Sequence, residues 1–123
     1  MGETNVIGEL NEEPRFTREN GMQFAIIAKD HTVAGTLEKR LAARTEHMEG
    51  IRQGKAEGTI IDGGAILNAQ GNMAGSVILC EFPDRAALDA YFAAEPYHRD
   101  GIWGAVEVLE FRRVDWAKLM GQA

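Results

Sequence analysis

Short apolar runs along the chain alternate with longer segments in which apolar residues recur at helical spacing. The apolar runs have strand length and are rich in β-branched residues; they span Phe24–Ala28, Thr59–Leu67 and Gly75–Phe82. Val106–Arg112 alternates apolar and polar positions, which predicts a fourth strand. Leu37–Ala56 and Asp84–Ala94 carry apolar residues three and four positions apart and are predicted as helices. The predicted order is βαββαβ, the ferredoxin-like α+β pattern.

Local sequence features set the ends of these elements. Thr36 is a typical N-cap residue before the first predicted helix, and Gly58 is a typical residue just after its end. Pro96 ends the second helix, because proline disfavours helical backbone in the residue before it. Gly63 and Gly64 lie in the middle of the second predicted strand, where they predict a bulge or bend.

Both faces of the predicted sheet carry aliphatic side chains. Consecutive aliphatic residues occur at Ile26–Ile27, Ile60–Ile61 and Val77–Leu79, whereas a sheet with one solvated face alternates apolar and polar residues. A lone domain would expose an apolar patch that soluble monomers rarely tolerate. We therefore predict a homodimer with the two sheets packed face to face. The alternative is that residues 1–21 or the segment around Trp116 covers the open face.

Composition and charge narrow the class of protein. The chain has 123 residues, 45% hydrophobic and 26% charged, which is typical of one globular domain. Its net charge of −6 argues against nucleic acid or an anionic membrane surface as partner. One cysteine and no apolar run of about 20 residues predict a cytoplasmic protein without a membrane span. We expect an acidic extension at residues 1–21, a domain at 22–115 and a tail at 116–123.

The first predicted helix carries candidate chemistry. At about 100° per residue, its apolar residues form one stripe: Leu37, Leu41, Met48 and Ile51. Arg44 falls inside this stripe, and Arg40 and His47 lie along its edge. A guanidinium on the core side of a helix is costly without an anion, so Arg44 predicts a carboxylate or a bound anionic ligand directly opposite. Taken singly, His47 is explained by a hydrogen bond to a backbone carbonyl and Arg40 by a solvated charge.

Glu95 lies at the end of the second predicted helix, followed by Pro96 and Tyr97. The simplest explanation is a helix-end residue without chemistry. A negative charge at a helix C-terminus is unfavourable, however, and calls for a cation on the neighbouring helix, either Arg44 or His47. A histidine beside a carboxylate can transfer protons near neutral pH, so His47 and Glu95 are candidate catalytic residues.

Other chemistries have weaker support. His31, His47 and His98 show no metal-ligand spacing, so no metal site is predicted. Cys80 is expected to be a small core residue, and Ser76 lacks the glycine-flanked pattern of a nucleophilic serine. No motif requires an organic cofactor.

Several segments together resemble the YciI-like (YCII-related) family between about Met22 and Arg112. They are Met22–Asp30, Leu37–Arg44 with His47, Gly63–Gly64, Gly75–Ser76 and Glu95–Tyr97. The resemblance implies a dimeric α/β barrel built from two ferredoxin-like protomers. It also implies a pocket in which a histidine, matching His47, faces the Asp of an Asp-Pro-Tyr motif.

The chain departs from this family pattern because Glu95 replaces the aspartate. The extra methylene changes the reach of the carboxylate, and Asp100 is a nearby substitute. Family members with an assigned reaction resemble small-molecule lyases or acid–base enzymes acting on ring compounds, and most members have none.

Two hypotheses of function follow. In the first, the chain is an enzyme that binds a small molecule, and an anionic compound is one class of ligand that fits. His47 is its general base or acid, Glu95 orients His47, Arg44 and Arg40 hold an anionic oxygen, and Tyr97 forms a polar wall. In the second, it is a non-catalytic ligand-binding or accessory domain in which Arg44 and Glu95 form a buried tie. An open pocket containing His47 favours the first hypothesis, and a sealed ion pair favours the second.

Overall fold

The computed structural model describes residues 21–121, in which helices cover one face of a four-stranded antiparallel sheet. The elements are β1 (Met22–Asp30), α1 (Thr36–Glu57), β2 (Ile60–Leu67), β3 (Met73–Phe82), α2 (Arg85–Ala94), α3 (Pro96–Arg99), β4 (Trp103–Phe111) and α4 (Trp116–Leu119). The predicted βαββαβ order and ferredoxin-like fold are confirmed, and the short helices α3 and α4 are additions. The predicted extension lies outside the described residues, except for Gly21.

The sheet has the strand order β2-β3-β1-β4. Alternate residues of the two central strands face the helices and form most of the core: Phe24, Ile26, Ala28, Ile78, Cys80 and Phe82. From the helical side, Leu88 and Tyr97 complete this core and are almost fully buried. None of the helices in residues 21–121 has the length and apolar character needed to cross a membrane.

The start of α1 differs from the prediction. Gly35, not Thr36, is the N-cap residue, in a left-handed conformation with φ of 91°. Thr36 is the first residue of the helix, and its hydroxyl donates to the carbonyl of Val33 at 2.8 Å. Glycine fits the N-cap position because it adopts positive φ without strain. Gly58 ends α1 in the same conformation, as expected.

The glycines of β2 do not form the predicted bulge. The register against β3 shifts between Ile60 and Asp62 and between Ile66 and Leu67, while Gly63 pairs regularly with Ile78. A Cβ added at Gly63 would lie 2.5 Å from the carbonyl oxygen of Val77. Glycine is therefore required there by the close approach of two backbones, and the irregularities fall on either side of it.

The buried face of α1 also differs from the predicted apolar stripe. Its buried residues are Thr36, Arg40, His47 and Gly54, whereas Leu41 is 51% exposed and Arg44 is exposed. Polar side chains occupy this face because Arg40 and His47 meet carboxylates there, which offsets the cost of burying them. Placing Arg44 on the core-facing side was wrong, and the helix is turned by about one residue from the expected orientation.

Candidate active site

His47 and Glu95 meet between the middle of α1 and the junction of α2 with α3. The imidazole Nδ1 lies 2.9 Å from Glu95 Oε1, and the two side chains are 9% and 2% exposed. Asp100, the other candidate carboxylate, lies on the surface and bonds to Arg99 instead. The tertiary structure therefore brings His47 together with Glu95 and not with Asp100.

The position of Glu95 follows from its place between two helices. It is the C-cap residue that follows α2 and the N-cap of α3, where its Oε1 accepts a hydrogen bond from the backbone N–H of Tyr97 at 2.8 Å. Pro96 fits the first position of α3, because that position needs no N–H donor. The unfavourable charge at the end of α2 is thus offset by a cap on α3. The hydroxyl of Tyr91 adds a long hydrogen bond to Oε2 at 3.4 Å.

The Tyr97 ring lies between two side chains of α1. Its plane is stacked on the His47 imidazole, with centroids 3.9 Å apart and an interplanar angle of 12°. The guanidinium carbon of Arg40 lies 4.5 Å from the centroid of the same ring. Burial raises the pKa of Tyr97, although the positive charges of Arg40 and Arg44 act in the opposite direction. The phenol is therefore neutral at physiological pH.

Arg40 is almost completely buried and is bound to Asp30. Its Nη1 donates to both carboxylate oxygens of Asp30 at 2.9 and 3.0 Å, and its Nη2 donates to Ser76 Oγ at 3.1 Å. The indole N–H of Trp103 donates to the same hydroxyl. Burial raises the pKa of Asp30 even though the adjacent Arg40 charge lowers it. The predicted role of Arg40 in binding an anionic oxygen remains a prediction, since these contacts occupy much of its guanidinium.

Sequence reasoning missed Asp30 and Ser76. The alternation of side chains along β1 indicates that Asp30 faces the helices, because it lies two residues after the core residue Ala28. A buried arginine does meet a carboxylate in this structure, but that arginine is Arg40 and not Arg44. The orientation of α1 decides which arginine is buried, since only residues that face the sheet need a buried partner.

Arg44 lies on the wall of a cavity and forms no ion pair within residues 21–121. The carboxylate predicted directly opposite it is thus not found in this part of the chain. The other possibility, an anionic ligand, remains a prediction. The buried ion pair between Arg44 and Glu95, which the second hypothesis predicts, is likewise absent, because Glu95 binds His47.

The cavity, with a volume of about 610 Å³, lies between α1 and the half of the sheet formed by β2 and β3. Small residues leave space above the sheet: Gly63, Ala65 and Ser76. Larger apolar residues form much of the remaining wall: Met48, Ile51, Ile60, Met73 and Ile78. Of the predicted apolar stripe of α1, Met48 and Ile51 thus face a ligand-sized space, whereas Leu37 and Leu41 do not line it.

His47 and Tyr97 form one end of this cavity. The Nδ1 of His47 binds Glu95, and no group in the described part of the chain bonds to its Nε2. The carboxylate favours a proton on Nδ1, which leaves the Nε2 lone pair directed away from Glu95. The arrangement is an open pocket containing His47, and it can accept or return a proton at Nε2.

Other reactive groups lie elsewhere. No group of His, Cys, Asp or Glu residues within 21–121 is arranged to hold a metal ion. Burial raises the pKa of the Cys80 thiol to about 12, so it is protonated at neutral pH and is a poor nucleophile. Cys80 belongs to the core, as its position in β3 predicted.

Comparison with known proteins identifies relatives over most of the domain. Residues 22–112 match the family model described as YCII-related domain. An uncharacterised protein of Haemophilus influenzae is 31% identical over 99 residues, covering 76% of this chain and 99% of its own length. Protein YciI of Escherichia coli is 30% identical over 99 residues, and the match again covers 76% of this chain and 99% of the relative.

One solved structure shares the fold at a TM-score of 0.67 and 24% identity, covering 77% of this chain and 98% of its own. It is 5-chloro-2-hydroxyhydroquinone dehydrochlorinase (TftG) of Burkholderia phenoliruptrix AC1100, in complex with 2,5-dihydroxybenzoquinone.

Proposed function

We propose that this chain, which belongs to the YCII-related domain family, is a small-molecule enzyme using His47 and Glu95 for lyase-like acid–base chemistry. One observation carries the proposal. An imidazole is held at Nδ1 by a buried carboxylate 2.9 Å away, and it lies on the wall of a cavity large enough for a substrate. A histidine whose only role is structural has no need of that cavity.

Each side chain has a distinct part in the proposed reaction. His47 Nε2 is the base, and Glu95 fixes its tautomer and stabilises the imidazolium that forms. Arg44 lies one turn before His47 on α1 and has no carboxylate partner among residues 21–121, so it is placed to stabilise an anionic oxygen. Tyr97 holds the plane of the imidazole, and the apolar wall around Met48 and Ile51 binds the body of the substrate.

The proposed step is an elimination. Nε2 takes a proton from a carbon beside a carbonyl, and the C–H electron pair forms an enolate whose oxygen lies next to Arg44. The enolate then re-forms the carbonyl, a C=C bond forms between the deprotonated carbon and its neighbour, and the leaving group on that neighbouring carbon departs with the electrons of its bond. His47 returns its proton to solvent or to the product, so no redox partner is needed.

The dehydrochlorinase with the same fold supports this reaction class. That enzyme is named for loss of chloride from a hydroxylated ring, and its structure holds a dihydroxybenzoquinone. For the present chain, a hydroxylated ring compound is consistent with an apolar cavity that has Arg44 on its wall, a cation without a carboxylate partner among residues 21–121. The proposal also includes a cytoplasmic homodimer with the sheets packed together.

The test is turnover by matched variants at His47 and Glu95. We expect the wild-type protein to release a leaving group from at least one member of a panel of halogenated and hydroxylated rings, beginning with 5-chloro-2-hydroxyhydroquinone. His47→Ala and Glu95→Gln should lower kcat by about 100-fold or more, measured by absorbance and halide release. Arg85→Ala, on the exposed side of α2, is the control and should retain wild-type turnover.

Thermal unfolding separates the competing explanations. A His47→Ala variant that melts near the wild-type temperature but lacks turnover supports catalysis. A large loss of thermal stability with residual turnover would show a structural histidine. Binding of 2,5-dihydroxybenzoquinone without turnover of any panel member would identify the alternative, a ligand-binding or accessory domain.

A further inference from the structure

We propose that Arg40 is a positioning residue that holds the Tyr97 ring against His47 and so fixes the direction of Nε2. This inference deepens the proposed function and rests on it. It gives Arg40 a different role from binding an anionic oxygen of the substrate.

The first argument is that the guanidinium of Arg40 is already occupied. Three hydrogen bonds of 2.9 to 3.1 Å fix it to Asp30 and Ser76, and Arg40 is only 3% exposed. A group held in this way cannot move toward a ligand without leaving the Asp30 carboxylate buried and unpaired. Arg40 is therefore anchored to β1 and β3 and is not free to bind substrate.

The second argument is the spacing of the side chains on α1. Arg40 and His47 are seven residues apart, which is close to two helical turns and a rise of about 10 Å. The Tyr97 ring fills this gap, at 3.9 Å from the imidazole centroid and 4.5 Å from the guanidinium carbon. Three flat groups are thus layered along one face of α1, with Arg40 as the fixed end.

The third argument concerns what the hydrogen bond to Glu95 leaves unrestrained. A single bond from Nδ1 fixes one atom of the imidazole, but the ring can still tilt about that contact. The nearly parallel Tyr97 ring, at an interplanar angle of 12°, removes the tilt. Arg40, whose guanidinium carbon lies 4.5 Å from the centroid of the Tyr97 ring, limits the withdrawal of that ring from His47. Reactive groups held in this way lose less entropy on reaching the transition state.

The fourth argument is that stability alone does not explain the buried ion pair of Arg40 and Asp30. The Nε of Arg40 is buried and has no hydrogen-bond partner within residues 21–121, and a donor in that state is costly. Desolvation also offsets much of the attraction in a buried ion pair. A cation held over the phenol ring supplies orientation that an aliphatic side chain would not.

The experiment uses two variants. One is Arg40→Lys, and the other is a double variant that combines Asp30→Asn and Arg40→Gln and so replaces the ion pair by a neutral pair. Lysine retains the charge beside Asp30 but lacks the planar group, and the double variant avoids an unpaired buried charge. The primary readout is NMR of the His47 ring protons, whose chemical shifts report stacking on Tyr97. The second readout is the affinity for 2,5-dihydroxybenzoquinone.

We expect both variants to fold, to lose most of the stacking shift at His47 and to bind the probe about tenfold more weakly. Arg44→Gln is the matched control, which should weaken probe binding but leave the stacking shift unchanged. If the wild-type protein neither binds the probe nor turns over any panel compound, the proposed function fails, while the ring shifts still report on positioning. The inference is overturned if both variants keep the wild-type ring shifts, or if neither variant folds, because Arg40 would then be purely structural.

Discussion

At the scale of single residues, Glu95 decides how the site is built. It lies between α2 and α3, and its carboxylate both caps α3 and binds the His47 imidazole. The family resemblance predicted aspartate at this position and left the reach of Glu95 open. In the structure, the longer side chain does reach the imidazole at 2.9 Å.

Shortening the Glu95 side chain should separate its role as the N-cap of α3 from its role in orienting His47. Glu95→Asp withdraws the carboxylate by about 1.5 Å, roughly one C–C bond, while aspartate remains a good N-cap for α3. We expect the melting temperature to stay near the wild-type value and turnover to fall about tenfold, because the imidazole loses its fixed partner. If Glu95→Asp has the wild-type rate in both single-turnover and steady-state measurements, Glu95 does not orient His47.

At the scale of elements, α1 and α3 are joined on the surface as well as at the site. Arg99 at the end of α3 makes two hydrogen bonds of 2.8 Å to Glu46, which precedes His47 on α1. The Arg99 guanidinium lowers the pKa of Glu46 below its usual value of 4.5. This ion pair therefore stabilises the fold above that pH, and the contribution is lost as pH falls through the lowered pKa.

Removing Arg99 should reverse this shift. In Arg99→Ala, we expect the pKa of Glu46 to rise toward 4.5. The measurement is carbon NMR of the Glu46 carboxyl group across an acid titration. Arg85→Ala is the matched control, because Arg85 forms a similar exposed pair with Asp89 on α2. The stability change should be small at neutral pH, since exposed pairs are screened by solvent. An identical Glu46 titration in both variants would contradict the assignment of the shift to Arg99.

At the scale of the whole molecule, the sheet face opposite the helices carries apolar side chains. Pairing of β1 with its neighbours places Ala25 beside Leu79 and Leu109, and Ile27 beside Val77. Leu109 is 44% exposed. This surface is what the consecutive aliphatic residues of the strands predicted, and a second copy of the chain remains its predicted partner.

A charge on this face should disrupt the predicted dimer. We expect the wild-type protein to sediment as a dimer at micromolar concentration and Leu109→Glu to sediment as a monomer, because an unpaired charge is costly in an apolar interface. Val106→Glu is the matched control, since Val106 lies on the same strand but on the helix side and is 36% exposed. A monomeric wild-type protein would refute the face-to-face arrangement.

The sequence by itself determined the order of the elements and the residue types available for chemistry. Strand and helix periods arise from local backbone geometry and from the need to bury apolar groups, so Phe24–Ala28 and Leu37–Ala56 were predictable as a strand and a helix. A histidine on the first helix and a carboxylate at the end of the second indicated His47 and Glu95, and the family resemblance agreed with that choice. It also implied the ferredoxin-like fold.

Only the tertiary structure decided how those side chains meet. Arg40 rather than Arg44 is the buried arginine, because burial depends on the rotation of α1 over the sheet and on a carboxylate, Asp30, from another element. The stack of Arg40, Tyr97 and His47 and the cavity beside it likewise join residues far apart in the chain. A local pattern cannot specify such contacts, since each depends on where several elements pack against one another.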